Sequence, residues 1–386
     1  MNWREKSWVW ASFAVLTSLL WQFSVAGIQF GGDWTGLFHS GDEWRLPAEL
    51  KSTTYQHPGS RGYDGQFYRL AAHDPFNRKH YSEYMDNASY RRKRVLVPLL
   101  AWGLGFGQSR WIDFSYIAVL NGFVLLGAWL FGELARSWSR HPAWGMTFLL
   151  MPATLNSIDR MLPDLAMLAA MAGFVLFRGK RTALSWMFLA AGVLTRELGL
   201  LIVAAAVGQE IWKRGWRLAA LWASAAGPAL AWWTICSNMD ASRANCSRVG
   251  WLAEAPFYGF FLRIGDPIIY HTTYSWLVQA VDAIVMLALP AAAVMAVWLW
   301  LKNRNGTLEW QALAGVSLAV LASNPRFLGD SASYPRAFSL LLCPLALLAL
   351  RTNRCWYAIP CVVLSLRLAL GLAGILARAA AGLLGA

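Results

Sequence analysis

The sequence predicts an all-α polytopic membrane protein, a bundle of about 10–12 transmembrane helices with a long structured first external loop. Three observations predict it. The hydrophobic fraction is 57% and the charged fraction 14%, where a soluble domain carries roughly 25% charged residues. Apolar runs of about 15–25 residues recur from Trp8 to Ala386 between short, often basic, connections, and a helix needs about 20 such residues to cross the hydrocarbon core. Lipid leaves the backbone only helices or closed barrels, and these Leu-, Ala- and Val-rich runs are too long for barrel strands. The third observation is the count of 23 tryptophans, many of them at run ends (Trp8, Trp10, Trp21, Trp138, Trp144, Trp212, Trp216, Trp276, Trp310), where interfacial aromatic belts form.

The first span runs over Trp8–Gly27, with Arg4 and Lys6 inside. The segment has no small-residue cleavage site and is expected to remain as an anchor. Residues 28–94 are too charged for lipid and too long for a connector, so they form the first external loop. The apolar stretch Arg94–Phe106 is short and contains Pro98; it lies along or dips into the outer surface. A span over Ile112–Leu134 then ends at Arg136, Arg140 and His141 inside. The chain rises to Asn156, turns outside, and returns to Arg178, Lys180 and Arg181. It rises to Thr195–Glu197 and descends to Lys213, Arg214 and Arg217. A second large external loop covers 236–274, followed by basic turns at Lys302 and Arg304 and at Arg351 and Arg354, with 324–336 outside between them. Every strongly basic short turn falls on one side if Arg94–Phe106 does not span. The net charge of +13 is therefore read as the positive-inside pattern. The basic residues form no single patch, so a nucleic-acid partner is excluded. The chain reads as one domain, 1–386, without internal repeats. Cys236 and Cys246 share the second external loop, where a disulfide can form in an oxidising compartment. Cys343, Cys355 and Cys361 read as small buried hydrophobes.

Ionisable residues near membrane depth are costly and usually functional, and here they gather at the external ends of spans. The first group is Arg61 to Arg69, in which Asp64 precedes a helix-forming run and suits its N-cap; a capping carboxylate can also face a site. Asp74 before Pro75 ends that helix in a turn. Tyr90 to Arg94 sets four positive charges beside the outer surface, for lipid headgroups or for the phosphate of a lipid-linked substrate. The second group is Asp159, Arg160, Pro163 and Asp164, where Pro163 and an acid suit the first turn of the descending helix. The third is Thr195, Arg196 and Glu197, and the fourth is Arg326 with Tyr334, Pro335 and Arg336. Asp266 and His271 acquire no role. There is no zinc-ligand spacing, no phosphate-binding glycine loop and no nucleophile elbow. Carboxylates and arginines at a membrane surface suit a displacement in which an acid takes a proton from an acceptor hydroxyl and arginines stabilise a phosphate leaving group.

Tyr63-Asp64-Gly65-Gln66-Phe67-Tyr68 in a long first loop resembles the (F/Y)-D-G-Q-x-Y signature of bacterial membrane proteins related to PIG-V-like mannosyltransferases, in the GT-C class of glycosyltransferases. Arg94-Val-Leu-Val-Pro98-Leu-Leu100 looks like the Pro-Leu segment that follows it. Asp159 to Asp164 occupies the place of the second-loop acidic motif. Leu194-Thr195-Arg196-Glu197 is similar to an L-T-R-E element, and Tyr334-Pro335-Arg336-Ala337-Phe338 to a Y-x-R-x-(F/L) element. The resemblance covers about residues 1–345 and rests on order and spacing. It implies a GT-C-like bundle that transfers a sugar from a polyprenyl-phosphate donor to a glycan, lipid or protein acceptor on the external face, as in a bacterial inner membrane. By it, Asp64 is the general base, with Asp159 or Asp164 assisting the acceptor or a metal. Arg94, Arg160, Arg196 and Arg336 are candidates for the donor phosphate, and Tyr63, Gln66, Tyr68 and Glu197 line the substrate site. The chain lacks the large soluble carboxy-terminal domain of many members, and with no D-x-D triplet no metal or other cofactor is indicated. Two alternatives stand beside this reading. A transporter or flippase of a lipid-linked or anionic substrate would carry charges in mid-span, whereas these collect at external ends. A transferase like the O-antigen ligases would lean on a late loop, here only Arg263 and His271.

Overall fold

The computed structural model describes residues 5–239, 255, 257–266, 268, 275–321, 324–330 and 333–384, with backbone only for 325–326 and 375–384. In chain order the helices are α1 (Ser7–Phe30), α2 (Ala48–Lys51), α3 (Gly65–His73), α4 (Ala88–Arg92), α5 (Leu96–Leu104) and α6 (Ser109–Ser137). There follow α7 (Pro152–Arg160), α8 (Asp164–Phe177), α9 (Thr182–Thr195), α10 (Gly199–Trp212), α11 (Trp216–Ser224) and α12 (Gly227–Met239). The last six are α13 (Tyr258–Gly265), α14 (Ser275–Lys302), α15 (Thr307–Leu321), α16 (Pro325–Gly329), α17 (Ser333–Thr352) and α18 (Ile359–Leu384). Two-residue strands at Ser40–Gly41 and Gln56–His57 pair in parallel inside the first loop.

The chain is an all-α integral membrane protein. Six helical segments are long and apolar enough to cross a membrane: α1, α6, α11 with α12, α14, α17, and Cys355–Gly374 within and just before α18. Helices α8, α9, α10 and α15 are apolar but only 14 or 15 residues long, about 21–23 Å against a hydrocarbon core of about 30 Å. Of the ten or more spans expected, six are present at full length among the described residues, and four more of the expected positions hold these shorter apolar helices. Short length is tolerable for α8 because its surface meets protein: Asp164 to Phe174 are all buried, so no lipid thickness has to be matched. As expected, α5 does not span; its nine residues reach about 14 Å.

One expected span is broken. The chain between His141 and Asn156 forms a 3-10 helix over Pro142–Leu150, an extended residue at Met151, and then α7. Pro142 and Pro152 each start a new helical segment, where proline fits the first turn without costing a helical hydrogen bond. The steeper rise of the 3-10 helix makes the two pieces together about 30 Å long. A Cβ at Gly145 would lie 2.4 Å from the Ala128 carbonyl of α6, so glycine is what lets this segment lie against that helix. Asn121 of α6 donates to Gln22 of α1 (2.9 Å), and Gln22 to the Ile158 carbonyl (3.3 Å). Such amide contacts tie apolar helices together where lipid offers no hydrophobic drive.

The two ends of the bundle match the alternation read from the turns. At one end Arg178 pairs with Glu210 and bonds Thr307 (2.9 Å), Asn303 donates to Glu309 (2.7 Å), and Arg351 pairs with Glu309. Trp10 meets the His141 ring edge-on at 5.7 Å there. All these belong to turns read as cytoplasmic. The turns read as external meet at the other end.

Candidate active site

The first loop folds on its own small core of Leu50, Phe67, Leu70, Ala71, Tyr81 and Met85, which fixes α3 and α4 over the ends of the spans. Asp74 closes α3 as the sequence predicts, its carboxylate accepting from the backbone of Arg78, Lys79 and Tyr81 (2.7–3.2 Å). Asp64 does occupy the N-cap position of α3, but its side chain makes no capping bond. It reaches instead to Arg91 of α4 at 2.8 Å and to Arg336 of α17.

From Asp64 a chain of opposite charges runs across the bundle. Arg91 also pairs with Asp86 (2.7 Å). Arg336 stands 3.9 Å from Asp164, at the start of α8, and Asp164 is paired with Arg196. Arg196 approaches Glu197 (3.6 Å), which takes two bonds from Arg94 (2.7 and 2.9 Å). Arg94 also donates to the hydroxyls of Tyr68 and Tyr90, and Tyr90 donates to Glu197 (3.0 Å). Four carboxylates, Asp86, Asp64, Asp164 and Glu197, thus alternate with four guanidiniums, Arg91, Arg336, Arg196 and Arg94, in a neutral chain. A charge buried without its partner costs about 3–5 kcal/mol, which is why acids and arginines from separate stretches come together here.

The charges set the acidity of the loop carboxylates. Burial acts to raise the Asp64 carboxyl, but Arg336 and then Arg91 outweigh it and hold the acid far below the usual carboxylate range. Burial is likewise overruled at Glu197 by Arg94 and then Arg196, which hold it down to about 2. An acid held between two guanidiniums is a strong counter-ion and a weak base.

The six-residue loop motif divides its labour. The Tyr63 ring lies under Arg160 (4.4 Å) and Arg336 (5.4 Å), and its hydroxyl meets Ser333 (3.1 Å). Gly65 is required by proximity: a Cβ there would stand 2.3 Å from the Arg160 carbonyl. Gln66 is buried and spent within the loop, accepting from the Gly41 amide (3.1 Å) and donating to the Arg61 carbonyl (2.8 Å). It is a loop brace, with both ends of its amide engaged inside the loop. Phe67 packs in the loop core below Arg91 (5.0 Å), and Tyr68 carries the Arg94 contact. Asp159 stands apart from the charge chain: it accepts from Trp21 (3.2 Å) and Arg160 (3.4 Å) and joins the site only through Arg160 on Tyr63.

The structure thus brings together Asp64, Asp164, Tyr63, Tyr68, Arg94, Arg160, Arg196, Glu197 and Arg336. Asp86 is a partner that sequence reading did not single out, and the Tyr90–Arg94 tract supplies Tyr90 and Arg91 as well as Arg94. Two further charge clusters were also missed. Arg69 grips Asp113 at the start of α6 with two bonds (2.7 and 2.8 Å), beside His73 (3.0 Å). Asp282 of α14 pairs with Arg367 of α18 at 2.5 Å, so not all charges sit at external ends. Residues 240–254 and 269–274, including Cys246 and His271, and the Arg326 side chain lie outside the described residues. Among the described residues, no group of three or more His, Cys, Asp or Glu is placed to hold a metal ion. Phe260 of α13 packs on Phe338 of α17 (5.9 Å), two residues on from Arg336, and Phe260 also lines an apolar cleft of about 630 Å³ continuing along α14 through Met286, Pro290, Val294 and Trp298. No protein-family model, curated protein or solved structure matches the chain.

Proposed function

We propose that the protein is a GT-C-like membrane glycosyltransferase, moving a sugar from a polyprenyl-phosphate donor to an acceptor hydroxyl. The observation that carries this reading is the buried charge chain, in which four arginines from three separate stretches converge on acids at one end of a lipid-embedded bundle. Guanidinium forks match phosphate oxygens bidentately. The apolar cleft lined by Phe260 and α14 would then take the isoprenoid chain. On this reading Arg336, Arg91, Arg196 and Arg94 hold the phosphate, Tyr63 and Tyr68 fix their orientation, and Asp64 takes the acceptor proton. The site would face the periplasm of a bacterial inner membrane, with a glycan, a lipid or a protein as acceptor. In proteoliposomes, Asp64→Asn should lower transfer from a polyprenyl-phosphate sugar by at least 10²-fold, the usual weight of a general base, with expression unchanged. Full activity in that variant removes Asp64 as the base.

A second reading, a transporter or flippase of an anionic lipid, is favoured by one observation. Asp282 and Arg367 pair between two spanning helices, where ionisable groups are costly and commonly functional. Movement of a fluorescent polyprenyl phosphate between leaflets of vesicles holding the protein, without any sugar transfer, would select that reading.

A further inference from the structure

Asp64 presents a conflict within the proposed site. The acid that should take a proton is occupied, as found, by the arginines that should hold the phosphate. The chain of charges shows how the conflict resolves. With Asp64 withdrawn, Arg91 still has Asp86, Arg336 still faces Asp164, Arg196 keeps Asp164 and Glu197, and Arg94 keeps Glu197. Four guanidiniums then face three carboxylates. The vacancy is one negative charge, shared by two forks.

We propose that the Asp64 carboxylate is a place-holder for a singly charged lipid phosphodiester, which displaces it from Arg336 and Arg91 and so releases it to act as the base. This rests on the glycosyltransferase reading and deepens it in two ways. It selects a monophosphate-linked sugar, whose phosphodiester carries one charge, over a diphosphate-linked one. It also makes donor binding the event that switches Asp64 from counter-ion to base, so that no acceptor is deprotonated at an empty site.

The step balances. The acceptor oxygen forms a bond to the anomeric carbon as its proton passes to the freed Asp64. The bond from that carbon to the phosphate oxygen breaks, and its electron pair stays on the phosphate. Polyprenyl phosphate leaves with two negative charges, the second held by Arg336 and Arg91, and Asp64 is neutral. The groups that face Asp64 are Arg91 of α4, Arg336 of α17 and Tyr63 beside it. Beyond them lie Asp86, Asp164, Arg160 and Asp330.

The test is binding of a short isoprenyl methyl phosphodiester, which does not titrate in the working range, to the full-length protein in nanodiscs. Asp64→Asn should bind it roughly tenfold more tightly than wild type, and Arg336→Gln roughly tenfold more weakly, the scale of close charge pairs at part-buried sites. Asp159→Asn, which removes a neighbouring acid outside the chain, should change affinity far less than Asp64→Asn. Should the Asn variant fail to fold, the wild type decides: calorimetry near pH 4 in two buffers should show uptake of roughly 0.4 proton as the phosphodiester binds, because a released Asp64 regains the ordinary carboxyl value of 3.8. Unchanged or weaker binding by Asp64→Asn, an equal gain from Asp159→Asn, or absence of proton uptake overturns the exchange, while loss of affinity in Arg336→Gln still upholds the phosphate site. No binding to wild type, or none that Arg336→Gln weakens, removes the underlying reading instead.

Discussion

Gly65 shows how much a single atom matters at this site. The start of α3 and the end of α7 meet there backbone to backbone, with no room for a methyl group beside the Arg160 carbonyl. Gly65→Ala must push α3 away and draw Asp64 off Arg336, at an overpacking cost of about 1–3 kcal/mol. Gly27→Ala, where nothing lies within 4 Å, is the control. The expected result is a lower melting temperature and lower transfer for Gly65→Ala, and neither change for Gly27→Ala. Glu197 gives a second prediction, in pH. Its pKa is held down to about 2 by its arginines, below the ordinary value of 4.5. The unfolded chain therefore binds more protons between those values, so the stabilisation is complete above pH 4.5 and is lost as pH falls through about 2. Melting curves of wild type in detergent should fall across that window, and Glu197→Gln should fall less steeply. An identical slope in both proteins would exclude Glu197 as the source.

At the scale of elements, what could be read from the sequence follows the range of each cue. Spans such as α6 and α14 announce themselves through local hydropathy, and α5 through its length and Pro98. Basic turns set the parity of each crossing, and so Asp64, Asp164, Glu197 and Arg336 could be assigned to one face before any contact was known. The break before α7 was less legible, because a Pro142 start and a Pro152 restart look like one apolar run until the 3-10 geometry is seen. Pairing across helices was not legible at all: nothing local says that Arg91 rather than Arg92 meets Asp64, or that Asp282 meets Arg367. The Arg178–Glu210 pair ties the end of α8 to α10 and, through Thr307, to α15. Both side chains are nearly buried, so Arg178→Ala leaves Glu210 without its partner and should destabilise by roughly 3–5 kcal/mol. Because the clamp lies at the end remote from Asp64, folded protein of that variant should bind the phosphodiester with wild-type affinity. Unfolding in mixed detergents and the same binding titration measure the two effects separately, and a binding loss equal to that of Arg336→Gln would show that the ends are coupled.

For the whole molecule the open physical choice is which end faces the cytoplasm, and the distribution of paired and unpaired charge argues it. Arginines crowd the site end, yet Arg91, Arg94, Arg196 and Arg336 are each neutralised by an acid. At the opposite end Lys180, Arg181, Lys213, Arg214, Arg217, Lys302, Arg304 and Arg354 are exposed. Orientation follows the excess of Lys and Arg in short loops, so this end is expected inside and the site outside. The chain carries its own reporter. Of the described cysteines, Cys236, Cys343 and Cys361 are buried, whereas Cys355, beside Arg354, is exposed, which corrects its expected burial. In a Cys246→Ser background, a membrane-impermeant maleimide added to intact cells should leave Cys355 unlabelled until the membrane is permeabilised. A second cysteine introduced by Arg61→Cys, on the exposed rim of the first loop, should label without permeabilisation. The reverse pattern would turn the bundle over and open the Asp64 site to the cytoplasm. The charge chain and its exchange chemistry would be untouched by that result, but donor and acceptor would then have to meet on the inner leaflet.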